Sequence, residues 1–564
     1  VLKIIYCQSH ETILFAIEEL KRLVEKAGYE SSIHDKTYLP EANEADKRII
    51  LITTIQYREM ISAENVPNIN ADGFAFVSAG NDLWIIGNEP RALLYGVYEY
   101  CKKFLGYQWI HLDKEEMVEL QDSDDKEVFT HEPMFVRRGN ILETINDPGY
   151  INSLIDWGVK NGQNEFFFTF FLWDEIKSYV RPGLKKRDVQ VTLGGHSLKY
   201  LLGKIQKDQE NNQINNYENL EFFAENVALQ DEVINKIISI CSEDEVITRI
   251  SLWPEDVGIE EKNADGFLSN YIRFTERLNS SLKAANLEVE VEYIVYNAGL
   301  SWDMLERRQT EVSAEVDVLY AYWGRDYSNS LHSSEPNQVK AKRTLDDWNT
   351  QAISQGRSLT VLEYYSDHFM LSELFPPLLT RIASDLQDYK QLQVQGALNL
   401  IVPMHRKPTN QVVSANYPWK WIHHLNNYIY SRVAWGEELE IVLEEYFSVF
   451  QEEKDTFRKM LLDLEKLISP FTRWNVPLFP ERVVDPEKVM QSANSKQIST
   501  ELKGVDKYLS TIELSGIESL LVLQRKDNYN SFSQKEMTLF YIYYLRLINK
   551  VYANEWENMM SKKK

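Results

Sequence analysis

Cysteine is scarce in this chain: only Cys7, Cys101 and Cys241 occur, far apart and without CxxC or Cys/His ligand spacing. That argues against structural zinc and for a reducing compartment. Long apolar runs are missing too, since none approaches the roughly 18 uninterrupted residues of a membrane span, and "VLKIIYCQSH" is too short and too polar for a signal peptide. A cytoplasmic protein with no membrane partner is expected. Positive charge is in deficit, with 61 Lys and Arg against 85 Asp and Glu, a net charge of -24 and a pI near 5.0. Without a basic stripe interleaved with aromatics, such a chain repels a phosphate backbone, which excludes nucleic acid as a partner. No GxGxxG or GxxxxGK[ST] follows any strand-like run, so a nucleotide-binding open sheet lacks support.

What is present is a chain of 564 residues, longer than a single core sustains, so two or three domains are expected. Its 44% hydrophobic and 26% charged residues mark an ordinary globular protein. Aromatics reach 12%, with 13 Trp and 31 Tyr, side chains that pack cores and also stack on sugar rings. Residues 1 to 125 alternate short strand-like runs ("LKIIYC", "RIILITT", "GFAFVSAG", "DLWIIGN") with helical stretches and read as an α+β domain. The polar run Asp113 to Glu127 reads as a linker.

From residue 134 to 409, eight apolar runs recur between helix-like intervals: "MFVRRGN", "NEFFFTFFL", "VQVTLGG", "VITRISLW", "VEVEYIVYN", "VDVLYAYWG", "LTVLEYYSD" and "ALNLIVPM". Eight strands alternating with helices fit a (β/α)8 TIM barrel, so the fold class is α/β. Residues 410 to 564 carry helical apolar spacing and read as a C-terminal helical domain, which leaves room for a homodimer.

A barrel of this kind keeps its active site at the C-terminal ends of its strands, so the residues after each run are the candidates. The first run ends at Arg138-Gly139-Asn140, the third at His196, and the fourth at Trp253, Glu255 and Asp256. The fifth gives Tyr296 and Asn297, the sixth Trp323, Arg325 and Asp326, the seventh Glu363, Tyr364, Asp367 and His368, and the eighth His405 and Arg406. Side-by-side acids at a strand exit can simply solvate a loop or cap the next helix. Glu363 differs, because its neighbours read as buried and a buried carboxylate must be paired or used.

Carboxylates at a barrel mouth beside aromatic walls, with no metal or phosphate motif, point to glycoside hydrolysis. That reaction needs an acid at the leaving oxygen and a second group that activates water or stabilises the oxocarbenium-like centre. Glu255, Asp256, Asp326 and Glu363 are the catalytic candidates. Trp253 and Trp323 would floor the sugar, and His196, Tyr296, Asn297, Arg325, Tyr364, Asp367 and His405 would bind it. No metal and no cofactor is expected.

The segment "DGFAFVSAGNDLWIIGNEPRALLYGVYEYCKKFLGYQWIH" resembles the small α+β domain that precedes the barrel in family 20 and family 67 glycoside hydrolases, most specifically in "GNEPRALLYGVYEYCKKFLG". Through "GGHS", "SLWPEDVG" and "LEYYSD" the barrel resembles the group related to family 163 endo-β-N-acetylglucosaminidases. The family 67 α-glucuronidase likeness implies an inverting mechanism with Glu255, Asp326 and Glu363. The family 20 and 163 likeness implies a substrate N-acetyl nucleophile with the Glu255-Asp256 pair as acid and helper, in the reverse of the family 20 order. The expectation is a glycoside hydrolase acting on an imported oligosaccharide, N-acetylhexosaminidase-like. An α-glucuronidase-like inverting hydrolase and a non-catalytic sugar-binding protein are the alternatives.

Overall fold

A computed structural model describes residues 1–36, 47–60, 67–120, 128–208, 219–224, 227–256, 263–297, 304–306, 310–371, 375–402, 420–470, 495–514 and 533–562. Its N-terminal sheet is built from β1 (Leu2–Tyr6), β2 (Ser31–Asp35), β3 (Lys47–Thr53), β4 (Phe74–Ala79) and β5 (Asp82–Gly87). A short ribbon, β6 (Tyr107–Gln108) with β7 (Glu116–Met117), follows, and β8 (Val128–His131) returns to the sheet, whose order is β2-β1-β3-β5-β4-β8. Because β8 pairs antiparallel with β4, the first domain runs to His131 rather than ending at residue 125. The expected linker is in part ordered strand, and residues 121–127 lie outside the described residues.

Helices Glu11–Lys26 and Pro90–Leu105 pack together over this sheet. The first buries Ile13, Ile17, Leu20 and Val24 on one stripe, and His10 caps it by accepting the Thr12 N–H at 3.2 Å. In the second, Pro90 sits in the first turn and Gly106 ends the helix at φ 76°, the left-handed conformation that glycine adopts freely.

All eight expected runs are parallel strands of one closed barrel: β9 (Arg137–Leu142), β10 (Glu165–Thr169), β11 (Gln190–Gly195), β12 (Ile247–Leu252), β13 (Glu290–Tyr296), β14 (Asp317–Ala321), β15 (Leu359–Asp367) and β16 (Gly396–Val402). Closure is made by β16 against β9, from Gly396↔Arg137 to Ile401↔Leu142. Parallel strands covered on both faces are apolar throughout, which is why they read as unbroken runs.

One layer of the barrel interior is ionic. Arg137 donates to both Glu165 oxygens at 2.8 and 2.7 Å, to Glu292 at 2.6 Å and to Thr360 at 3.0 Å. Thr192 also donates to Glu165 at 2.6 Å, and Arg249 lies 3.6 Å from Glu292. Burial pushes the Glu165 carboxyl up, but Arg137 outweighs it and holds the group at about 2. The next residue, Arg138, points to the outside of the barrel. Together with Arg91 (2.9 Å) and Asn164 (2.7 Å) it donates to Asp72 at 2.8 Å and so ties the barrel to the N-terminal domain.

The helix Lys420–Trp435 is the eighth barrel helix and not a separate element. Its Tyr430 hydroxyl accepts the Gly139 N–H (2.8 Å) and donates to the Ala397 carbonyl (2.5 Å), while Asn427 bonds Asn140 and Asn399 across the β9–β16 seam. Barrel structure therefore runs past residue 409. Helices Leu439–Ser448, Lys454–Ile468, Ser495–Ser510 and Gln534–Lys562 form the helical C-terminal part. No helix among the described residues is long and apolar enough to cross a membrane.

Candidate active site

The two glycines of "GGHS" are imposed by the strand. A Cβ on Gly194 would stand 1.7 Å from the Ser251 carbonyl oxygen of β12, and Gly195 has φ +65° with a Cβ position 2.9 Å from Thr169 Cγ2. The Gly195 carbonyl accepts the Trp253 N–H at 3.0 Å, which pins the exit of β12 beside that of β11. His196 then projects between the two exits. Its Nδ1 donates to the Pro254 carbonyl at 2.6 Å, directing Nε2 to Asp256 Oδ2 at 3.5 Å.

Asp256 is held from the other side as well. The Tyr296 hydroxyl, from the last residue of β13, donates to its Oδ1 at 2.7 Å. Registered pairing between β12 and β13 ends at Ile250↔Val291, and Tyr271 bridges the strands above that point. Its hydroxyl donates to the Leu252 carbonyl (2.7 Å) and accepts the Ile294 N–H (3.1 Å). Trp253 packs against Phe167 and His196 with ring centroids 5.2 and 5.3 Å apart, and its indole N–H donates to Ser251 at 3.0 Å. At 3% exposure it supports the wall under His196 and offers no open face to a sugar.

A further carboxyl joins these groups from β9, which continues through Ile141 and Leu142 so that its exit residue is Glu143. The Glu143 carbonyl accepts the Thr169 hydroxyl at 2.8 Å. Burial raises its carboxyl above the usual range, Asp256 adds to that, and His196 opposes it. Burial lowers the His196 imidazole, yet Asp256, Glu143, the Pro254 carbonyl and Glu255 outweigh it and raise it above its ordinary value. The Tyr364 hydroxyl is pushed well above its ordinary value by burial first, then by Asp367, Asp256, Glu363 and Glu143. Glu143, His196, Asp256, Tyr296 and Tyr364 thus come together from five strands. Glu143 was not among the sequence candidates, because Arg137 and Arg138 look like the polar end of the first run. The apolar pair Ile141-Leu142 just before it was the available signal.

Other candidates go elsewhere. Glu255 accepts the Lys199 N–H at 3.3 Å in the first turn of helix Leu198–Asp208, so that half of the acid pair caps a helix. Glu363 alternates with inward Thr360 and Leu362 and points outward to helix Leu379–Gln391, where Arg325 (2.9 Å), Tyr327 (2.5 Å) and Tyr389 donate to it. Arg325 also donates to Asp385 at 2.5 Å. The buried carboxylate is therefore paired within the wall of the barrel. Asp326 organises its own loop by accepting from Ser328 (2.9 and 2.6 Å) and Asn329 (2.8 Å). Asn297 makes a two-way bond with the Trp323 backbone, at 2.8 and 2.7 Å, while the Trp323 ring is half-buried at the rim. Asp367 is buried at the end of β15, close enough to raise Tyr364. His405 lies outside the described residues. No cluster of three or more His, Cys, Asp or Glu able to hold a metal occurs among the described residues.

Residues 2–100 match the family model described as Glycosyl hydrolase family 67 N-terminus. Alpha-glucuronidase A of Aspergillus tubingensis is 36% identical over 76 residues, which are 13% of this chain and 9% of that protein. The probable alpha-glucuronidase A of Aspergillus niger matches to the same extent. The match therefore spans only 9% of the length of these curated relatives. Among solved structures, a family GH115 4-O-methyl-alpha-glucuronidase with specificity for decorated arabinogalactans superposes with a TM-score of 0.60 at 13% identity, covering 98% of this chain and 72% of that one. A GH138 enzyme targeting pectin rhamnogalacturonan II gives 0.58 at 11% identity, covering 99% and 70%. At such identity the likeness is one of fold. The chain is thus similar over residues 2–100 to the N-terminal domain of glycosyl hydrolase family 67, and that domain precedes an eight-stranded parallel barrel of the fold found in GH115 and GH138 glycoside hydrolases.

Proposed function

We propose that the protein is a glycoside hydrolase that binds an oligosaccharide at the C-terminal mouth of its barrel. The observation that carries this reading is the meeting of two carboxyl groups in different surroundings, half-buried Glu143 and solvent-facing Asp256, beside His196, Tyr296 and Tyr364. Glycosidic cleavage asks for one carboxyl that keeps a proton and another that receives one. Asp256, held by the Tyr296 hydroxyl and facing solvent, is placed to take a proton from a water attacking the anomeric carbon. His196 and Tyr364 supply polar contacts for sugar hydroxyls, and the half-buried Trp323 is the aromatic surface left at the rim.

For the sugar we infer a uronic acid glycoside ahead of a 2-acetamido glycoside. The likeness of the N-terminal domain to family 67 and to alpha-glucuronidases supports the first. The engagement of Glu255 at a helix terminus takes it from the acid pair implied by the second and equally from the acid set implied by the first, so the preference rests on the N-terminal domain. A panel of aryl and oligosaccharide glucuronides, 4-O-methylglucuronides and 2-acetamido glycosides tests the reading. Turnover of a uronide, lost in Asp256→Asn, is expected. Turnover of 2-acetamido glycosides alone would reverse the choice of sugar, and binding without turnover would make the protein a sugar-binding one.

A further inference from the structure

We propose that Glu143, and neither acid of the Trp253-Pro254-Glu255-Asp256 turn, donates the proton to the leaving glycosidic oxygen; the assignment rests on the glycosidase reading above. Three observations carry it. The first is position: Glu143 is the first residue beyond β9, its backbone fixed by the Thr169 hydroxyl at 2.8 Å. A Cβ added at Gly195 would lie 3.7 Å from Glu143 Oε1, so the second glycine of "GGHS" leaves open the space beside this carboxyl.

The second is what the other acids already do. Glu255 Oε1 accepts a helix N–H, and Asp256 Oδ1 accepts the Tyr296 hydroxyl at 2.7 Å, an arrangement that holds Asp256 as an acceptor. No described residue donates a hydrogen bond to the Glu143 side chain. The third is environment. The charged groups facing Glu143 are His196 and Asp256, and enclosure by protein together with the Asp256 charge favours its protonated form against the opposing pull of His196. An acid whose surroundings favour its protonated form, and which opens toward the space left by Gly195, is equipped to give that proton to a ligand.

In the step, the Glu143 O–H proton passes to the glycosidic oxygen as the bond to the anomeric carbon breaks, both electrons leaving with oxygen. Water forms the new bond to that carbon, and its proton goes to Asp256. One water is consumed per bond, and proton exchange with solvent returns Glu143 to the acid and Asp256 to the carboxylate.

The test compares Glu143→Gln with the wild type on two glycosides of the same sugar, an unactivated oligosaccharide and a 2,4-dinitrophenyl glycoside whose leaving group needs no proton. General acid catalysis contributes about 10²- to 10⁴-fold. The variant should lose a factor in that range on the oligosaccharide, stay within about tenfold on the activated glycoside, and lose the alkaline limb of the pH–rate profile. Equal losses on both substrates, or an alkaline limb that survives, would overturn the assignment while leaving the glycosidase reading in place. A wild type that cleaves neither substrate would remove both. Product binding by the variant, measured calorimetrically, shows that its mouth is folded.

Discussion

Replacing Arg137 by Met should destabilise the barrel far more than the loss of one surface ion pair would. Arg137 makes three hydrogen bonds to two buried carboxylates and one to Thr360, all in the barrel interior. In this layer Arg137 and Arg249 face Glu165 and Glu292, and Arg249 is also paired with Glu290 and lies 3.8 Å from Asp317. Without Arg137, Glu165 loses its hydrogen-bonded cation and Glu292 is left with Arg249 at 3.6 Å, which Glu290 also engages, and removing one partner of a buried pair costs about 3 to 5 kcal/mol. The position of Glu165 agrees in direction: burial raises it, but Arg137, helped by Arg249 and Thr192, holds it at about 2. Adding Glu165→Gln removes the stranded charge, so the double variant should be more stable than the sum of the two single losses by about 2 to 3 kcal/mol. Urea unfolding followed by tryptophan fluorescence measures each corner of the cycle. Because the folded value of Glu165 is depressed, its contribution is full above about 4.5 and fades as pH falls toward about 2. The gap between wild type and Arg137→Met should narrow over that window. A loss below about 1 kcal/mol, or strict additivity, would refute the view of this layer as a coupled ionic core.

Tyr296→Phe keeps a buried ring and removes the donor to Asp256, a charge-assisted bond of about 1.5 to 3 kcal/mol. It should lower kcat/KM by roughly 10- to 150-fold, and unchanged kinetics would detach Tyr296 from the reaction. Asp72→Ala strips a shared partner from Arg91, Arg138 and Asn164, and should loosen the N-terminal domain by about 3 to 5 kcal/mol, seen as faster limited proteolysis near residue 131. Burial raises the Asp72 carboxyl, but Arg91 and Arg138 outweigh it and hold the group at about 2. The wild-type tie should therefore persist above the ordinary carboxylate value and fail only as pH falls toward about 2.

The barrel was legible because parallel strands buried on both faces must be apolar, and "NEFFFTFFL" or "ALNLIVPM" has little else to become. The site was only half legible. A strand exit is read from where polarity begins, and the first strand carries two arginines in its interior, one inside the barrel and one outside it. That false end hid Glu143. Glu363 was correctly read as buried, but burial alone does not say whether a carboxylate is paired or used, and Arg325, Tyr327 and Tyr389 lie 26 to 38 residues away in sequence. The adjacent acids Glu255 and Asp256 divide between the two roles considered for them, a helix cap and a mouth residue, because successive side chains at a turn diverge. Nothing local in "WPED" indicates which acid faces His196.

The most direct test is a proton NMR time course on a uronide that the wild type cleaves, recording both rate and first-formed anomer, repeated with Asp256→Asn. With water attacking opposite the leaving oxygen and Asp256 as its base, the first product should have the inverted anomeric configuration, and the variant should lose about 10²-fold or more in rate. A retained configuration, or an Asp256→Asn variant as fast as the wild type, would contradict the account of the barrel mouth.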